Sequence, residues 1–199
     1  MVPSDHPLPG HPALDAGLPR VVHLRDGRSC HIRMIEATDA DRLQQFVRGL
    51  SEASAQQRFF ASVHELSAAQ LARFTASPDP MDFAVIAQPF REGADLSSEP
   101  ITGTARCLRA NPWRDRLTPP DEAPELEFAV TIADAWQQAG LGRLLLGELI
   151  NQARARGAGA LVGEALSENV RMLELVRQLG FTVRSDPSDA RSTLLRLQL

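Results

Sequence analysis

Residues 137–143, QQAGLGR, place two glycines one residue apart directly in front of a leucine-rich stretch. Leu141, Leu145 and Leu149 then recur every four residues, the spacing of one face of an α-helix. Gly157 marks the predicted end of this helix, since glycine readily adopts the left-handed conformation with which many helices stop. A glycine pair is costly at a helix start unless the backbone turns tightly or is approached closely. The segment therefore predicts a turn whose amides bind a ligand at the helix N-terminus.

The residues around this turn predict alternating strands and helices. An apolar run at residues 126–132 is typical of a strand, and residues 161–163 indicate a second, short one. A further helix is predicted to start at Ser167 or Asn169 and to end near Gly180. The order strand, helix, strand, helix, strand requires at least one parallel crossover. On the side of the first helix opposite the leucines we place Arg143, Glu148, Asn151, Gln152 and Arg154.

The N-terminal half begins with a predicted β-hairpin, because two alternating strands flank Asp26-Gly27. A start resembling a capping box at residues 38–41 predicts a helix, and helical periodicity predicts another over residues 67–74. Apolar runs and proline-rich connections then predict strands at residues 81–87 and 101–108 and a surface loop at residues 110–124.

The length of 199 residues fits one domain of ordinary size. Residues 1–18 contain prolines and an aspartate where a signal peptide needs a basic start and an apolar stretch, so they predict a flexible tail. Residues 19–199 are expected to form a single α/β domain.

Three phosphate-binding motifs could explain the glycine turn. A Walker loop needs a lysine after its second glycine, whereas Gly142 is followed by Arg143 and the chain contains no lysine. A dinucleotide fingerprint needs a third glycine at the position of Leu145. The pattern Q/R-x-x-G-x-G/A remains, with Gln137 and Gly140 in register.

In this register the chain resembles the GNAT superfamily of N-acetyltransferases. The features that carry the resemblance are, in order, the strand, the glutamine, both glycines, the helix, Asn169 and the later Leu179-Gly180-Phe181. The stretches LSEASAQQRFF, ELEFAV and ALSENVRMLELVRQLGF are similar to the catalytic domains of bacterial protein-lysine acetyltransferases. The resemblance implies the GNAT fold, an α+β arrangement whose mixed, mostly antiparallel sheet has a parallel central strand pair and is flanked by helices. It also implies acetyl-CoA as cosubstrate and an amine as acceptor, either a protein lysine or a small amine.

The resemblance further implies how acetyl-CoA is bound. The strand backbone would bond the pantetheine arm, while the amides of the turn and the positive end of the helix dipole would bind the pyrophosphate. Asn169 would contact the cofactor, although it could equally be a helix cap. The expected cofactor-binding residues are Val130, Ile132, Gln137, Gln138, Ala139, Gly140, Leu141, Gly142, Arg143 and Asn169.

A candidate base lies in the strand at residues 126–132. An alkylammonium titrates at about 10, so a group must accept its proton before the amine can react. Alternation places Glu127 on one face with Ala129 and Thr131, small residues that leave room for a substrate. In the similar lysine acetyltransferases a glutamate base stands at the matching position, which makes Glu127 the expected catalytic residue. Glu125, two residues earlier on the same face, is the alternative.

One departure from the family concerns the general acid, the group that protonates the leaving thiolate. Many GNAT enzymes use a tyrosine to protonate the departing thiolate, and this chain contains no tyrosine. Either no dedicated acid is needed, or Ser167 or water assists. The missing tyrosine also motivates a second hypothesis, a non-catalytic sensor that binds acyl-CoA without turnover. A nucleotide-phosphate binding module is disfavoured by the absent lysine and third glycine.

Composition limits the classes of binding partner that we expect. The net charge of −4 and the dispersed arginines give no footprint for nucleic acid or an anionic membrane. The two cysteines are far apart and predict buried, reduced thiols, which favours a cytoplasmic location. None of the five histidines has a ligand-like spacing, so no metal is expected. The oligomeric state stays open and is compatible with a homodimer.

Overall fold

The computed structural model describes residues 17–61, 63–109 and 123–199, which build a mixed sheet of eight strands flanked by helices. The strands are β1 (Arg20–His23), β2 (Ser29–Met34), β3 (Phe83–Pro89), β4 (Gly103–Arg109), β5 (Glu125–Ile132), β6 (Ala160–Leu166), β7 (Thr182–Ser185) and β8 (Ser192–Gln198). The helices are α1 (Ala40–Arg48), α2 (Glu52–Phe59), α3 (Ala68–Ala76), α4 (Leu141–Ala155) and α5 (Val170–Gln178). The order across the sheet is β1-β2-β3-β4-β5-β6-β8-β7.

The pairing confirms the predicted sheet. All neighbouring strands are antiparallel except β5 and β6, which form the parallel central pair. Helix α4 is the crossover that connects these two strands. The predicted order of strand, helix, strand, helix and strand from residue 126 onward is therefore confirmed.

The predicted hairpin is also present, with β1 and β2 paired from Arg20↔Ile32 to His23↔Ser29. Gly27 has φ +85°, the left-handed conformation that the turn requires. The Asp26 carboxylate accepts hydrogen bonds from the backbone N–H and the Nε of Arg28 at 3.1 and 2.8 Å. Local turn chemistry therefore sets the register of this hairpin.

Polar caps and glycines define the helix ends. Ser51 caps α2 and Ser67 caps α3, each accepting a backbone hydrogen bond at 3.2 Å. Asn169 caps α5, accepting a hydrogen bond from the backbone N–H three residues later at 3.1 Å. Gly157 and Gly180, with φ +77° and +87°, follow α4 and α5 as predicted.

The start predicted at residues 38–41 differs in detail, because a 3-10 turn, Ala37–Asp39, precedes α1. Asp39 is buried and binds Arg33 at 2.7 Å together with Arg42. Burial alone would raise the pKa of Asp39, but the hydrogen bonds from Arg33 and from the backbone of Glu36 outweigh it and hold the pKa below its usual value. The aspartate thus joins two arginines as well as shaping the helix start.

Each face of the sheet is covered by different helices. The larger core lies where α4 and α5 pack on one face, through residues such as Leu145, Leu149 and Val176. The smaller core lies where α1, α2 and α3 cover the other face, around Ile86. Cross-strand register places Val130 on the first face with Val85 and Ala105. The candidate site lies along β5, whose side chains alternate between these two faces.

Three features differ from the sequence-based predictions. Glu148, predicted on the polar side of α4, is buried and paired with Arg20 at 2.9 Å. Helix α2 was not predicted, because it buries just Ser54 and Ala55 and lacks an apolar stripe. Strand β8 was not predicted either, and it inserts between β6 and β7.

The other predictions have mixed outcomes. Cys30 and Cys107 are both buried and free, as predicted, and burial raises the pKa of the Cys30 thiol to about 11. Of the predicted tail at residues 1–18 and the predicted loop at residues 110–124, residues 1–16 and 110–122 lie outside the described residues. Leu18 already packs against the larger core.

Candidate functional site

Strands β5 and β6 separate along their length, which opens the central parallel pair. They are paired over Glu125–Glu127 and Ala160–Val162, although β5 continues to Ile132 and β6 to Leu166. The Ala133 N–H donates to Thr102 O on the β4 side at 2.9 Å. Since peptide groups alternate in direction along a strand, those of Val130 and Ile132 face the gap toward β6. This edge offers backbone donors and acceptors to a ligand lying between the strands.

The predicted turn lies beside this gap. Gly140 is the N-cap of α4 with φ +91°, and Gln138 also has a positive φ of 63°. The first backbone N–H groups of α4 have no partner within the helix and point out of its N-terminus. The side chains of Ala139 and Leu141 are buried in the larger core, so these two residues can contribute to a site through their backbone alone.

The β1–β2 hairpin supports the turn from outside. The Arg25 N–H donates to Ala139 O at 3.2 Å, and Arg28 donates to Ala135 O at 2.9 Å. The Arg28 guanidinium also stacks on the Trp136 ring, 4.0 Å from its centre. Trp136 packs partly buried against the larger core, so it anchors the start of the turn.

A cavity of about 870 Å³, called the larger cavity below, runs from the turn to the start of α5. Its lining includes eight of the ten predicted cofactor-binding residues: Val130, Ile132, Gln137, Gln138, Gly140, Gly142, Arg143 and Asn169. Arg25 and Arg171 line it as well, so it is bordered by three guanidinium groups. Glu168 and Glu174 at α5 provide opposite charge. Two of the three guanidiniums, Arg25 and Arg143, lie at the glycine turn, where they can bind anionic groups.

Gly142 has no structural reason to be glycine. A Cβ built on it would lie 3.7 Å from the side chains of Ile132 and Leu175, an ordinary contact distance. Gly142 lies in the first turn of α4, where glycine is less stable than alanine by roughly 0.5–1 kcal/mol. It lines the larger cavity, so close approach of a ligand to the backbone explains the residue better than packing does.

A second cavity of about 320 Å³, called the smaller cavity below, adjoins the first on the face of β5 that α2 covers. Glu127, Thr131 and Glu164 line it together with Arg58, Phe59 and Phe60 at the end of α2. Residues common to both cavities include Val130, Ile132, Gln137 and Asn169. The two cavities therefore meet along the open edge of β5.

Glu127 projects from the predicted face. The register Glu127↔Leu108 and Thr131↔Thr104 places it on the face that carries Ala129 and Thr131, and its side chain is exposed. Both small residues line the smaller cavity, which confirms the expected room beside the carboxylate. The Thr131 hydroxyl is buried there and has no hydrogen-bond partner among the described residues.

Two guanidinium groups lie near Glu127. Burial lowers the pKa of Arg58 to about 10, an effect that the nearby Glu127 carboxylate opposes. Burial lowers the pKa of Arg106 to about 9, and the charge of Arg58 adds to this effect. Arg106 donates to Phe74 O at 3.1 Å and lies over the Phe74 ring. The face of Glu127 thus carries concentrated positive charge.

A hydrogen-bond network fixes α2 against the open edge of β5. The Asp134 carboxylate accepts from the Ser51 N–H, the Ser51 hydroxyl and the Ser54 hydroxyl at 3.0, 2.8 and 2.8 Å. The Gln137 amide donates to Ser54 Oγ at 3.1 Å and to Ile132 O at 3.2 Å. Gln137 therefore ties the turn to α2, and its side chain is engaged within the protein.

The other candidate catalytic residues, Glu125 and Ser167, bond to other parts of the protein. Glu125 is paired with Arg196 of β8 and belongs to neither cavity lining. The Ser167 hydroxyl is bonded to Thr193 Oγ1 at 3.0 Å and is likewise absent from the described linings. Of the candidate catalytic residues, Glu127 is the one that faces the smaller cavity.

The family model for the acetyltransferase (GNAT) domain matches residues 30–182. The chain belongs to the GNAT acetyltransferase family. An acetyltransferase of Pseudomonas aeruginosa is 31% identical to this GNAT protein over 179 residues, covering 90% of this chain and 89% of that protein. The domain is accordingly an acetyl-CoA-dependent acetyltransferase.

Solved structures agree with this GNAT assignment. The GNAT domain of S. lividans PAT has a TM-score of 0.76 and 28% identity, covering 91% of this chain and 97% of that chain. The protein yncA of Salmonella typhimurium, solved with its cofactor acetyl-CoA, has a TM-score of 0.64 and 22% identity, covering 85% and 94% of the two chains. The second likeness concerns the fold alone.

Sequence reasoning did not find several lining residues of this GNAT domain. Arg25 and Arg171 carry no motif of their own and reach the larger cavity through tertiary packing. The position of Arg58 beside Glu127 depends on α2, which was not predicted. The signal available for α2 was Ser51, a good N-cap residue, followed by small and helix-compatible residues.

Two further findings concern the described part of the chain. No group of three or more His, Cys, Asp or Glu side chains is arranged there to hold a metal ion. Its helices are also too short or too polar to cross a bilayer.

Proposed function

We propose that this GNAT domain transfers the acetyl group of acetyl-CoA to a primary amine, a protein lysine or a small amine, with Glu127 as general base. The observation that carries the proposal is the position of Glu127 in the smaller cavity, which meets the larger cavity at the open edge of β5. A carboxylate on one side of this junction and a phosphate-binding turn on the other are the two parts that such a transfer requires.

The residues of the larger cavity fit acetyl-CoA. The outward peptide groups of Val130 and Ile132 suit an amide-containing arm, and the amides at Gly140 and Gly142 suit a pyrophosphate. Arg25, Arg143 and Arg171 supply positive charge for its phosphates. Asn169 already caps α5 through its side-chain oxygen, which leaves its amide N–H₂ for the cofactor. When bound, acetyl-CoA supplies an acetyl group activated as a thioester.

Glu127 would remove a proton from the acceptor amine. An amine with a pKa of about 10 arrives as an ammonium ion, which cannot attack a carbonyl carbon. The Glu127 carboxylate is exposed to the smaller cavity and accepts this proton from the ammonium nitrogen, directly or through one water. Ala129 and Thr131 on the same face leave space for the acceptor.

Water is the proposed proton donor to the leaving group. The chain has no tyrosine, and the Ser167 hydroxyl is bonded to Thr193 outside the described cavity linings. The Ser54 hydroxyl, which lines both cavities, already donates to Asp134.

The experiment that tests the proposal measures free thiol released from acetyl-CoA in the presence of lysine peptides, amino acids and polyamines. Amine-dependent release supports the transferase and identifies the acceptor class. Tight acetyl-CoA binding without release for any amine would instead favour a non-catalytic acyl-CoA sensor.

Gly142→Ala tests the cofactor site separately from the fold. Because the new methyl group meets no short contact, the free energy of unfolding is expected to stay the same or rise by up to about 1 kcal/mol. The dissociation constant of acetyl-CoA is expected to rise about tenfold, roughly 1.4 kcal/mol, because the methyl group holds the phosphates away from the amides. Calorimetric titration and thermal unfolding measure the two quantities.

The matched control for this variant is Gly49→Ala at the end of α1. Gly49 has φ −84°, and a Cβ there would lie 3.4 Å from Gln45 O, so the substitution is also tolerated sterically. It lies outside both cavity linings and should leave acetyl-CoA affinity unchanged. Unchanged affinity in Gly142→Ala would show that the phosphates do not approach this backbone.

A further inference from the structure

Arg58 is a charged group at the candidate site that the transfer chemistry above does not use. It lies in the last turn of α2 and lines the smaller cavity together with Glu127. Its guanidinium lies 4.9 Å from the centre of the Phe59 ring, which holds it against an apolar surface. The side chain is partly buried, and burial lowers the pKa of the guanidinium to about 10.

Among the described residues the guanidinium of Arg58 has no hydrogen-bonding partner, in contrast to two other arginines on the same side of the sheet. Arg33 is paired with Asp39 at 2.7 Å, and Arg106 donates to Phe74 O at 3.1 Å. Throughout the described ranges, no hydrogen bond or ion pair is made by the Arg58 guanidinium, and Glu127 acts on it through charge alone. Its five N–H donors make no bond to the described residues, so they are available to an anionic partner that enters the smaller cavity.

Glu127 is not that partner. Although its charge reaches Arg58, the two side chains form no salt bridge, and the carboxylate remains exposed to the smaller cavity. Glu164 also lines this cavity. The carboxylates of Glu127 and Glu164 and the planar guanidinium of Arg58 therefore line the same cavity of about 320 Å³.

We propose that the acceptor is an amine that also carries a carboxylate, which binds to Arg58 while the amine lies at Glu127. This inference rests on the proposed transfer to an amine and narrows its substrate class. The guanidinium fork matches a carboxylate through two parallel hydrogen bonds, and the ammonium group is attracted to Glu127 and Glu164. Binding both ends fixes the amine nitrogen beside its base.

The carboxylate can come from two sources, which matched acceptors distinguish. One set compares free amino acids with the corresponding amino-acid amides. The other compares lysine peptides that have an aspartate beside the lysine with peptides that have an asparagine there. In each pair the amine is retained and the negative charge is removed, so that kcat/KM for thiol release reports recognition of the charge.

For the wild type we expect kcat/KM to be about 10- to 100-fold higher for the carboxylate member of at least one pair, the range for hydrogen bonds to a charged group. Arg58→Gln should remove this preference, because it lowers kcat/KM for the carboxylate acceptor by a larger factor than it lowers kcat/KM for the neutral acceptor. Arg58→Lys keeps the charge but loses the fork, so it should retain part of the preference. Arg48→Gln, which removes an exposed arginine paired with Glu65, is the control and should match the wild type.

Three results would overturn the inference. The first is equal use of both members of each pair by the wild type, and the second is a preference that persists in Arg58→Gln. Equal losses for charged and neutral acceptors in Arg58→Gln would show that Arg58 supports Glu127 or the fold and does not bind the acceptor. In these cases the proposed acetyl transfer still stands, whereas absence of release with every amine overturns the transfer together with the acceptor class. Unchanged acetyl-CoA affinity of Arg58→Gln verifies that the variant is folded.

Discussion

Glu127→Gln is expected to lower kcat for every amine acceptor by about 100- to 10,000-fold, the contribution typical of a positioned general base. Glutamine has nearly the same size and keeps a hydrogen-bonding oxygen, but it cannot take up the proton of an ammonium ion. The side chain is exposed at the edge of β5, so the substitution should leave the fold intact. Acetyl-CoA affinity should change by less than about twofold, because Glu127 lies outside the lining of the larger cavity.

The pH dependence of this variant gives a second readout. Without a base, turnover depends on the fraction of acceptor that is already a free amine, and this fraction rises tenfold per pH unit below the amine pKa of about 10. The deficit of Glu127→Gln relative to the wild type should therefore shrink as the pH rises from 7 to 9. Steady-state kinetics at several pH values measures it.

Glu125→Gln is the matched control for this experiment. Glu125 lies two residues earlier on the same face of β5, but its carboxylate is paired with Arg196. We expect a change in kcat of less than about threefold, since an exposed ion pair of this kind contributes little. A larger loss in Glu125→Gln than in Glu127→Gln would transfer the role of base to Glu125.

Features that depend on local chemistry were predictable from the sequence. The hairpin at Asp26-Gly27 and the turn at Gly140 follow from the conformational freedom of glycine, and both are present with positive φ angles. The face of Glu127 follows from the twofold period of a strand, which needs no knowledge of the rest of the molecule. These local rules, with the resemblance to the family, were sufficient to predict the fold and eight residues that line the larger cavity.

Features that depend on distant partners were not predictable. Helix α2 is weakly amphipathic and is fixed by Asp134, more than seventy positions away in sequence, through Ser51 and Ser54. The position of Arg58 follows from that helix. Strand β8 alternates buried Thr193, Leu195 and Leu197, yet its insertion between β6 and β7 is set by long-range pairing.

The prediction that Glu148 lies on the polar side of α4 was wrong for the same reason, a partner that is distant in sequence. Helical periodicity places this residue away from the leucines of α4, and charged residues on that side are normally solvated. In the structure β1 lies close enough for Arg20 to reach it, and the two side chains are 8% and 3% exposed. Gln152, one turn later, donates a further hydrogen bond to Glu148 at 2.9 Å. The buried carboxylate is tolerated because Arg20 of β1 and Gln152 of the same helix both bond to it.

Glu148→Ala is consequently expected to lower the free energy of unfolding by about 3–5 kcal/mol, since it removes the carboxylate of a buried ion pair. For a domain of this size the Tm should fall by on the order of 10 °C. Glu65→Ala, which breaks an exposed ion pair with Arg48, is the control and should cost less than about 1 kcal/mol. Replacing both members, Arg20→Met with Glu148→Leu, should recover most of the lost stability, because two apolar side chains then take the place of the buried ion pair. Equally small effects of Glu148→Ala and Glu65→Ala in chemical denaturation would show that water reaches the pair and screens it.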